Sequence, residues 1–151
     1  MSFVLRPARS TDAGKLGAIL TDAVAAAPWK PRLHSAAEDI AHVATMIDRG
    51  WVTVAQDADT PRILGFLARE GDFIHAVFIH PQARGDGVGR ALMEAAKAQS
   101  DTLRLWTFVA NTGAQRFYLR EGFAEVARGD GSGNEEGLPD IQYQWQKKAT
   151  A

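Results

Sequence analysis

A glycine-rich stretch in the middle of the chain, Arg84–Arg90, has the composition of a phosphate-binding loop. It reads Arg-Gly-Asp-Gly-Val-Gly-Arg and follows an apolar run, Val77–Ile79, that is closed by Pro81. Glycine has no Cβ, so the backbone can turn sharply here and come close to a ligand. A helical apolar pattern begins inside the loop, and the free amides and positive dipole end of a helix start favour a phosphate or pyrophosphate. The two arginines add charge that a diphosphate could use.

Two familiar glycine fingerprints do not match this loop. A Walker-type loop requires a lysine followed by serine or threonine, whereas this loop ends in Gly-Arg-Ala. A dinucleotide loop requires Gly-x-Gly-x-x-Gly; counted from Gly85 the last position is Arg90, and counted from Gly87 it is Leu92. The next predicted strand ends in Val-Ala-Asn and lacks the acidic residue that would bind a ribose. These mismatches argue against an ATP-type or NAD-type loop.

The pattern that remains, Arg/Gln-x-x-Gly-x-Gly/Ala, resembles that of the GNAT acetyltransferase superfamily. Two blocks carry the resemblance: a strand-Pro-loop-helix unit at Val77–Leu92, and Asn-x-x-Ala-x-x-Phe-Tyr-x-x-x-Gly-Phe at Asn111–Phe123. Both blocks at the correct separation are specific, and the resemblance covers most of the chain. It implies an acyl-CoA N-acyltransferase with a mixed α/β (α+β) fold, in which four helices pack against a central sheet of about seven strands.

The resemblance also assigns roles to individual positions. The amides of the loop would hold the pyrophosphate of acetyl-CoA, and the exposed backbone of residues 77–79 would hydrogen-bond the pantetheine arm like an added strand. In this family the two central strands splay apart to admit the cofactor. The positions assigned in this way to cofactor binding are Val77, Phe78, Ile79, Arg84, Gly85, Asp86, Gly87, Val88, Gly89, Arg90 and Asn111.

Three side chains are candidates for the proton transfers that amide formation requires. By the resemblance, Tyr118 matches the position that places a phenol near the sulfur of the cofactor, so it is the predicted general acid. The general base remains open. His75 is expected on the same strand alternation as Val77 and Ile79, and an imidazole titrates near neutrality. Glu70, at the preceding turn, and a water chain are the alternatives.

Two loops are candidates for binding the acceptor amine. Trp29 and His34 lie between the first two predicted helices, where family members shape the acceptor pocket. The acidic segment Asp130–Asp140 could attract a cationic amine by its charge. We expect a small-molecule primary amine as the acceptor. Because the chain has no cysteine and no serine with a recognisable partner set, we expect direct attack in a ternary complex.

Length and composition set broader limits. The 151 residues are 46% hydrophobic and 23% charged, include no cysteine, and carry a formal net charge of -1. These values predict a single globular domain over residues 1–151, exclude disulfides and thiolate metal sites, and give no reason to expect a metal. The near-neutral charge argues against nucleic acid or a membrane surface as a partner, and no apolar stretch is long enough to span a bilayer. We therefore expect a cytoplasmic protein and, because family members often pair, consider a homodimer.

The elements that must position these residues follow from hydrophobic periodicity and turn residues. The predicted order is β-α-α-β-β-β-α-β-α-β-β, with an antiparallel meander over the three strands between residues 51 and 79. Ser10 or Thr11 is the predicted cap of the first helix. Capping boxes at 35–38 and 112–115 predict two further helix starts. The buried stripe predicted for the second helix is Ile40, Val43, Ala44 and Ile47.

Three functional hypotheses follow from these observations. The first is an N-acetyltransferase, the second is a catalytically silent acyl-CoA-binding module that regulates a partner protein, and the third is an unrelated nucleotide-binding protein. Tyr118 and a candidate base favour the first. Amine-dependent release of CoA separates the first from the second. Protection of the fold by CoA, rather than by ATP or NAD, separates both from the third.

Overall fold

The computed structural model describes residues 2–148, which form one seven-stranded mixed sheet with four helices packed against it. The strands are β1 (Phe3–Pro7), β2 (Val52–Asp57), β3 (Ile63–Glu70), β4 (Phe73–Ile79), β5 (Thr102–Phe108), β6 (Ala124–Gly129) and β7 (Asp140–Gln146). The helices are α1 (Ala13–Ala25), α2 (Ala36–Asp48), α3 (Val88–Lys97) and α4 (Thr112–Arg120), and short 3-10 turns lie at Ser10–Asp12 and Pro81–Ala83. The predicted fold class, element order and meander are confirmed.

The sheet consists of two antiparallel halves joined by a weak parallel contact. Its strand order is β1-β2-β3-β4-β5-β7-β6. β5 pairs with β7 along its whole length, from Thr102 to Phe108. By contrast, β4 and β5 pair only at Phe73 and Arg104, where the Arg104 amide donates to the carbonyl of Asp72 at 2.8 Å. Beyond this point the two central strands diverge, as the family resemblance implied.

Each face of the sheet carries its own apolar cluster. α1 and α2 cover one face, with Leu16, Val43 and Phe66 fully buried beneath them. α3 and α4 cover the other face around Leu92 and Leu103. The gap between β4 and β5 therefore lies between two layers of helices that pack on opposite faces of the same sheet. Within residues 2–148, no helix combines the length and the apolar character that crossing a bilayer requires.

A β-bulge in β4 corrects the predicted alternation of this strand. Ala68 of β3 pairs with Ala76, but its neighbour Arg69 pairs with Ile74, so His75 is left without a partner in the ladder. The extra residue places Ile74 in the same cluster as Val77 and Ile79, which alternation alone would forbid. The prediction that His75 shares the alternation of Val77 and Ile79 is therefore wrong.

The predicted helix caps are correct at one of three helices. Ser35 forms the expected capping box, since its hydroxyl accepts from the amide of Glu38 at 3.1 Å. Ser10 and Thr11 do not cap α1, because they lie inside the 3-10 turn that precedes it. α4 is capped one residue earlier than predicted, by Asn111 instead of Thr112. At α4, the polar residue that comes first along the chain takes the capping position.

The buried face of α2 is rotated relative to the predicted stripe. Val43 and Ile47 are buried as expected, but Ile40 is 38% exposed, and Asp39 and Met46 are buried with the other two. Ile40 instead lies against α1 at Gly17, where an added Cβ would be only 2.5 Å from its Cγ1 atom. With α2 packed in this way, Asp39 lies on the buried face of the helix.

Candidate active site

The divergence of β4 and β5 opens a cavity of about 950 Å³, which we call the cleft. Its walls are the free edge of β4, Leu105–Phe108 of β5, the loop before α3 and the beginning of α4. Every predicted cofactor position except Asp86 lines this cavity. The two sequence blocks that carried the family resemblance thus face each other across one space.

The loop before α3 presents unpaired backbone donors to the cleft. Gly85 and Gly87 both have φ of 84°, in the left-handed region that glycine adopts without strain. This conformation lets α3 begin at Val88 directly after the second glycine. No backbone carbonyl within residues 2–148 accepts from the amides of 87–90, as expected for the first turn of a helix. Four donors and the positive end of the helix dipole together form an anion site.

The side chains around this loop take different positions. Arg84 and Arg90 are on the cleft wall, and in the described part of the chain neither forms an ion pair. Asp86 is exposed and does not line the cleft. Gly89 lies beneath Phe117, since an added Cβ would be 3.1 Å from its Cε1 atom. The third glycine therefore allows α3 and α4 to approach each other.

The edge of β4 that faces the cleft has no strand partner. On its other side, residues 77–79 pair with Gly65–Leu67 of β3. Toward β5 the ladder ends at Phe73 and Arg104, so no strand pairs with residues 77–79 on that side. Val77, Phe78 and Ile79 all line the cleft. This free edge can hydrogen-bond an extended ligand in the way that a sheet accepts another strand.

Tyr118 on α4 is buried in an aromatic cluster and also lines the cleft. Its ring centroid lies 5.3 Å from that of Phe117, 5.7 Å from that of Phe123 and 6.0 Å from that of Tyr143. The hydroxyl has no hydrogen-bond partner among residues 2–148. Because every fully buried side-chain oxygen or nitrogen in that range has one, this hydroxyl opens to the cleft. Burial raises the pKa of Tyr118, which keeps the phenol protonated and able to donate.

Two further polar side chains line the cleft. Asn111 caps α4, with its Oδ1 accepting from the Ala114 amide at 3.1 Å, which leaves its Nδ2 available as a donor. Thr107 on β5 is only 8% exposed and was missed by the sequence analysis. The sequence pattern does indicate this residue, because Leu103, Leu105 and Thr107 alternate along β5 and Thr107 is the polar member of an otherwise apolar series.

Trp29 and Lys30 both lie against the ring of Phe108 at the edge of the cleft. Trp29 meets Phe108 edge-on, with 5.6 Å between the ring centroids. The Nζ atom of Lys30 is 5.3 Å from the centre of the Phe108 ring. Both residues line the cleft, so Trp29 is on the side of the predicted cofactor rather than in the second cavity.

The second cavity, which we call the side pocket, has a volume of about 690 Å³ and lies between α1, α2 and β4. Apolar side chains such as Leu20, Met46 and Phe66 line it together with charged residues of the α1–α2 and β6–β7 loops. Among residues 2–148, no three metal-ligating side chains come together as a group. The side pocket meets the cleft along β4, and the residues that line both cavities are Lys30, His75, Ala76 and Phe78.

His34 joins the two loops that the sequence analysis proposed as acceptor walls. Its Nε2 is 2.7 Å from Oε1 of Glu135 in the acidic loop, and its Nδ1 is 3.7 Å from Oε2 of Glu38. The hydrogen bond with Glu135 raises the pKa of His34, and so favours the charged imidazolium. All three side chains line the side pocket. A single contact therefore links the two loops beside this cavity.

The two candidate bases form one pair. His75 lines both cavities, and its ring lies flat against Trp51, with 4.9 Å between centroids, and edge-on to Phe73. Its Nε2 is 2.9 Å from Oε1 of Glu70. An ionised carboxylate can only accept, so with Glu70 ionised and the imidazole neutral, Nε2 carries the hydrogen and Nδ1 the lone pair. His75 and Glu70 are thus parts of one arrangement.

Known proteins share both the sequence pattern and the fold. The family model described as "Acetyltransferase (GNAT) domain" matches residues 40–125. Over 80 residues the chain is 36% identical to the peptidyl-lysine N-acetyltransferase YjaB of Salmonella typhimurium. That match covers 53% of this chain and 53% of the relative, so the chain spans about half the length of the curated relatives it matches.

Solved structures match over nearly the whole chain. The apo form of YjaB from Escherichia coli, determined in solution, has a TM-score of 0.80 and 25% identity, and the match covers 98% of this chain and 100% of that one. The structure of yncA from Salmonella typhimurium with its cofactor acetyl-CoA has a TM-score of 0.73 and 22% identity, and covers 100% and 97% of the two chains. The second similarity, at this identity, is one of fold alone.

Proposed function

The chain belongs to the GNAT acetyltransferase family, and we propose that it transfers the acetyl group of acetyl-CoA to a primary amine. One observation carries the proposal: a single cleft brings together four free loop amides, the bare edge of β4 and the unpaired hydroxyl of Tyr118. The loop amides form an anion site, the β4 edge can pair with an extended chain, and the hydroxyl is a proton donor. Their combination fits a thioester at the end of a long pyrophosphate-bearing arm.

The cofactor would be bound mainly by backbone groups. The amides of 87–90, with Arg84 and Arg90 beside them, would hold the pyrophosphate. Residues 77–79 would pair with the pantetheine arm, and Asn111 would donate from Nδ2. Asp86 does not line the cleft, and its place in the loop supports a role in forming the turn rather than in contacting the cofactor. We further propose that residues 1–151 form a single acyltransferase domain that uses no metal.

The chemical step would be direct attack in a ternary complex. The lone pair of a neutral amine attacks the thioester carbonyl, a C–N bond forms, and the C–S bond breaks as the tetrahedral intermediate collapses. Tyr118 gives its proton to the departing thiolate, while the His75–Glu70 pair, directly or through water, takes the proton that the amine loses. The position of His75 on the walls of both cavities supports this assignment.

For the acceptor, we propose the ε-amine of a protein lysine. This differs from the small-molecule amine expected from the sequence, and its support is the similarity to a relative named as a peptidyl-lysine N-acetyltransferase. A small amine is the second candidate, because the side pocket has a volume of about 690 Å³ and joins the cleft at β4. In both cases the acceptor would enter through the side pocket and reach the thioester past Ala76 and Phe78.

Release of CoA tests this function with little background, since the chain has no cysteine of its own to react with a thiol reagent. The protein is incubated with acetyl-CoA and a panel of lysine peptides and small primary amines. We expect amine-dependent thiol release and a mass gain of one acetyl group on the acceptor. Tight CoA binding by calorimetry without release for any acceptor would favour the silent regulatory module. Thermal protection by ATP or NAD, but not by CoA, would favour an unrelated nucleotide-binding protein.

A further inference from the structure

One buried carboxylate in the side pocket forms no ion pair within residues 2–148. Asp39, in the first turn of α2, is only 8% exposed and lines the pocket among the apolar side chains of Leu20, Phe66 and Phe78. No lysine, arginine or histidine of the described residues 2–148 forms an ion pair with it. A charged group in such surroundings normally has a partner, because removing it from water is costly.

The carboxylate of Asp39 is held by one oxygen only. The hydroxyl of Thr21 on α1 donates to its Oδ2 at 2.7 Å. The other oxygen, Oδ1, has no hydrogen-bond partner among residues 2–148. Because no sealed side-chain oxygen in that range lacks a partner, Oδ1 is open to the pocket. Thr21 therefore fixes the orientation of the carboxylate and leaves one oxygen for a ligand.

The other charged groups of the pocket are already engaged or are more exposed than Asp39. Arg32 and His42 are exposed and Glu136 is half-buried, and none of these three forms an ion pair within residues 2–148. Glu38 and Glu135 contact His34, with side chains that are well exposed to solvent. Lys30 is placed over the ring of Phe108, on the side of the cleft. Asp39 is thus the buried acid of this pocket within the described part of the chain, and it is the one shielded best from solvent screening.

We propose that Asp39 binds a second positive charge on the acceptor, distinct from the amine that is acetylated. This inference rests on the proposed function. Its substrate class is an acceptor with two cationic groups, such as a diamine or a lysine with a neighbouring basic residue. The second group would donate to Oδ1 of Asp39 while the first reaches the thioester along β4.

The reacting amine itself is a poor ligand for Asp39. It must lose its proton before it can attack, and an opposite charge at short range in an apolar setting stabilises the protonated form. Asp39 beside the nucleophile would therefore oppose the reaction. A cation that stays protonated throughout has no such conflict, and a charge-assisted hydrogen bond to it would hold the acceptor in register.

Paired acceptors that differ only in the second charge test this proposal. Diaminoalkanes of three to six carbons are compared with amino alcohols of the same length, and lysine peptides flanked by arginine with the same peptides flanked by citrulline. For the wild-type protein we expect kcat/KM to be about tenfold to a hundredfold higher for the doubly charged member, the range of a hydrogen bond to a charged group. Asp39→Asn, which keeps the shape and an oxygen for Thr21, should reduce this ratio to about one.

The neutral acceptors provide the internal control for folding. Acetylation of these acceptors by Asp39→Asn would show that the variant is folded, and Asp48→Asn, which removes an exposed charge from the far end of α2, should keep the wild-type ratio. A wild-type protein without preference for the second charge would overturn the proposal, as would a preference that survives in Asp39→Asn. Failure of every acceptor to release CoA would instead reject the proposed function, so the two failures are distinguishable.

Discussion

The hydroxyl of Tyr118 can be removed without touching the packing around it, which makes Tyr118→Phe a clean test of the proposed acid. The ring contacts with Phe117, Phe123 and Tyr143 remain, and no hydrogen bond within the described residues is lost. The free energy of unfolding should therefore change by less than about 1 kcal/mol, the scale of an ordinary hydrogen bond. An effect on turnover much larger than this has to come from chemistry in the cleft.

We expect kcat of Tyr118→Phe to fall about 100-fold, at the lower end of what a positioned acid contributes, because a thiol with a pKa of about 8.5 is already a good leaving group. This corresponds to about 2.7 kcal/mol in the activation free energy. The KM for acetyl-CoA should stay within about twofold, since the other predicted cofactor contacts are intact. Because burial raises the pKa of Tyr118, the wild-type rate should show no loss from phenol ionisation between about pH 7 and 9.

The assay is CoA release at saturating acetyl-CoA and acceptor across that pH range. Tyr143→Phe is the matched control, because it removes the hydroxyl of another buried tyrosine in the same aromatic cluster, at a residue that does not line the cleft. Its kcat should match the wild type. If Tyr118→Phe turns over as fast as Tyr143→Phe at every pH, the general-acid role is refuted and Tyr118 is only a packing residue.

Three further features of the molecule can be tested individually. Gly87→Val forces a β-branched residue to φ of 84° in the anion loop, so calorimetry should show at least about tenfold weaker CoA binding; unchanged affinity would show that the loop does not bind the cofactor. NMR titration should give His34 a pKa above its ordinary value. The imidazolium–Glu135 contact should be complete below the ordinary histidine pKa while Glu135 stays ionised, and lost as pH rises through the raised pKa. In Glu135→Gln the pKa should move back down, and an unchanged value would contradict the contact. Asn111→Ala should lower the free energy of unfolding by about 1 kcal/mol in urea titrations while Thr112→Ala changes it little, and the reverse order would return the cap to Thr112.

Local patterns in the sequence were sufficient to predict the order of the helices and strands and the residues that line the cleft. The bounds of β4, Phe73 to Ile79, agree with its apolar run, and the glycine loop and the Asn111–Phe123 block do line one cleft. These features depend on neighbours along the chain, where periodicity and turn chemistry act. The cap of α4 shows the limit of this approach, because Asn111 and Thr112 are adjacent and both residue types can cap a helix.

Both loops beside the side pocket could be proposed from the sequence, but the contact between them could not, because it joins distant parts of the chain. His34 and Glu135 are 101 positions apart, and nothing in either loop indicates the other. The inward position of Asp39 follows from how closely α2 packs on α1 at Gly17, which rotates its buried face by one residue. Periodicity correctly identified α2 as amphipathic, but it could not define the face to within one residue.

The bulge at His75 adds one side chain to the site without disturbing the rest of β4. On either side of it, Ile74 pairs with Arg69 and Ala76 pairs with Ala68, which are neighbours in β3. Deleting His75 would therefore restore a regular ladder and leave Ile74, Val77 and Ile79 facing α3, with Ala76 and Phe78 facing α1. Of the side chains of β4, the imidazole alone would be lost from the walls of the two cavities. The bulge thus lets the strand carry an additional side chain between the cavities while its packing remains that of a regular strand.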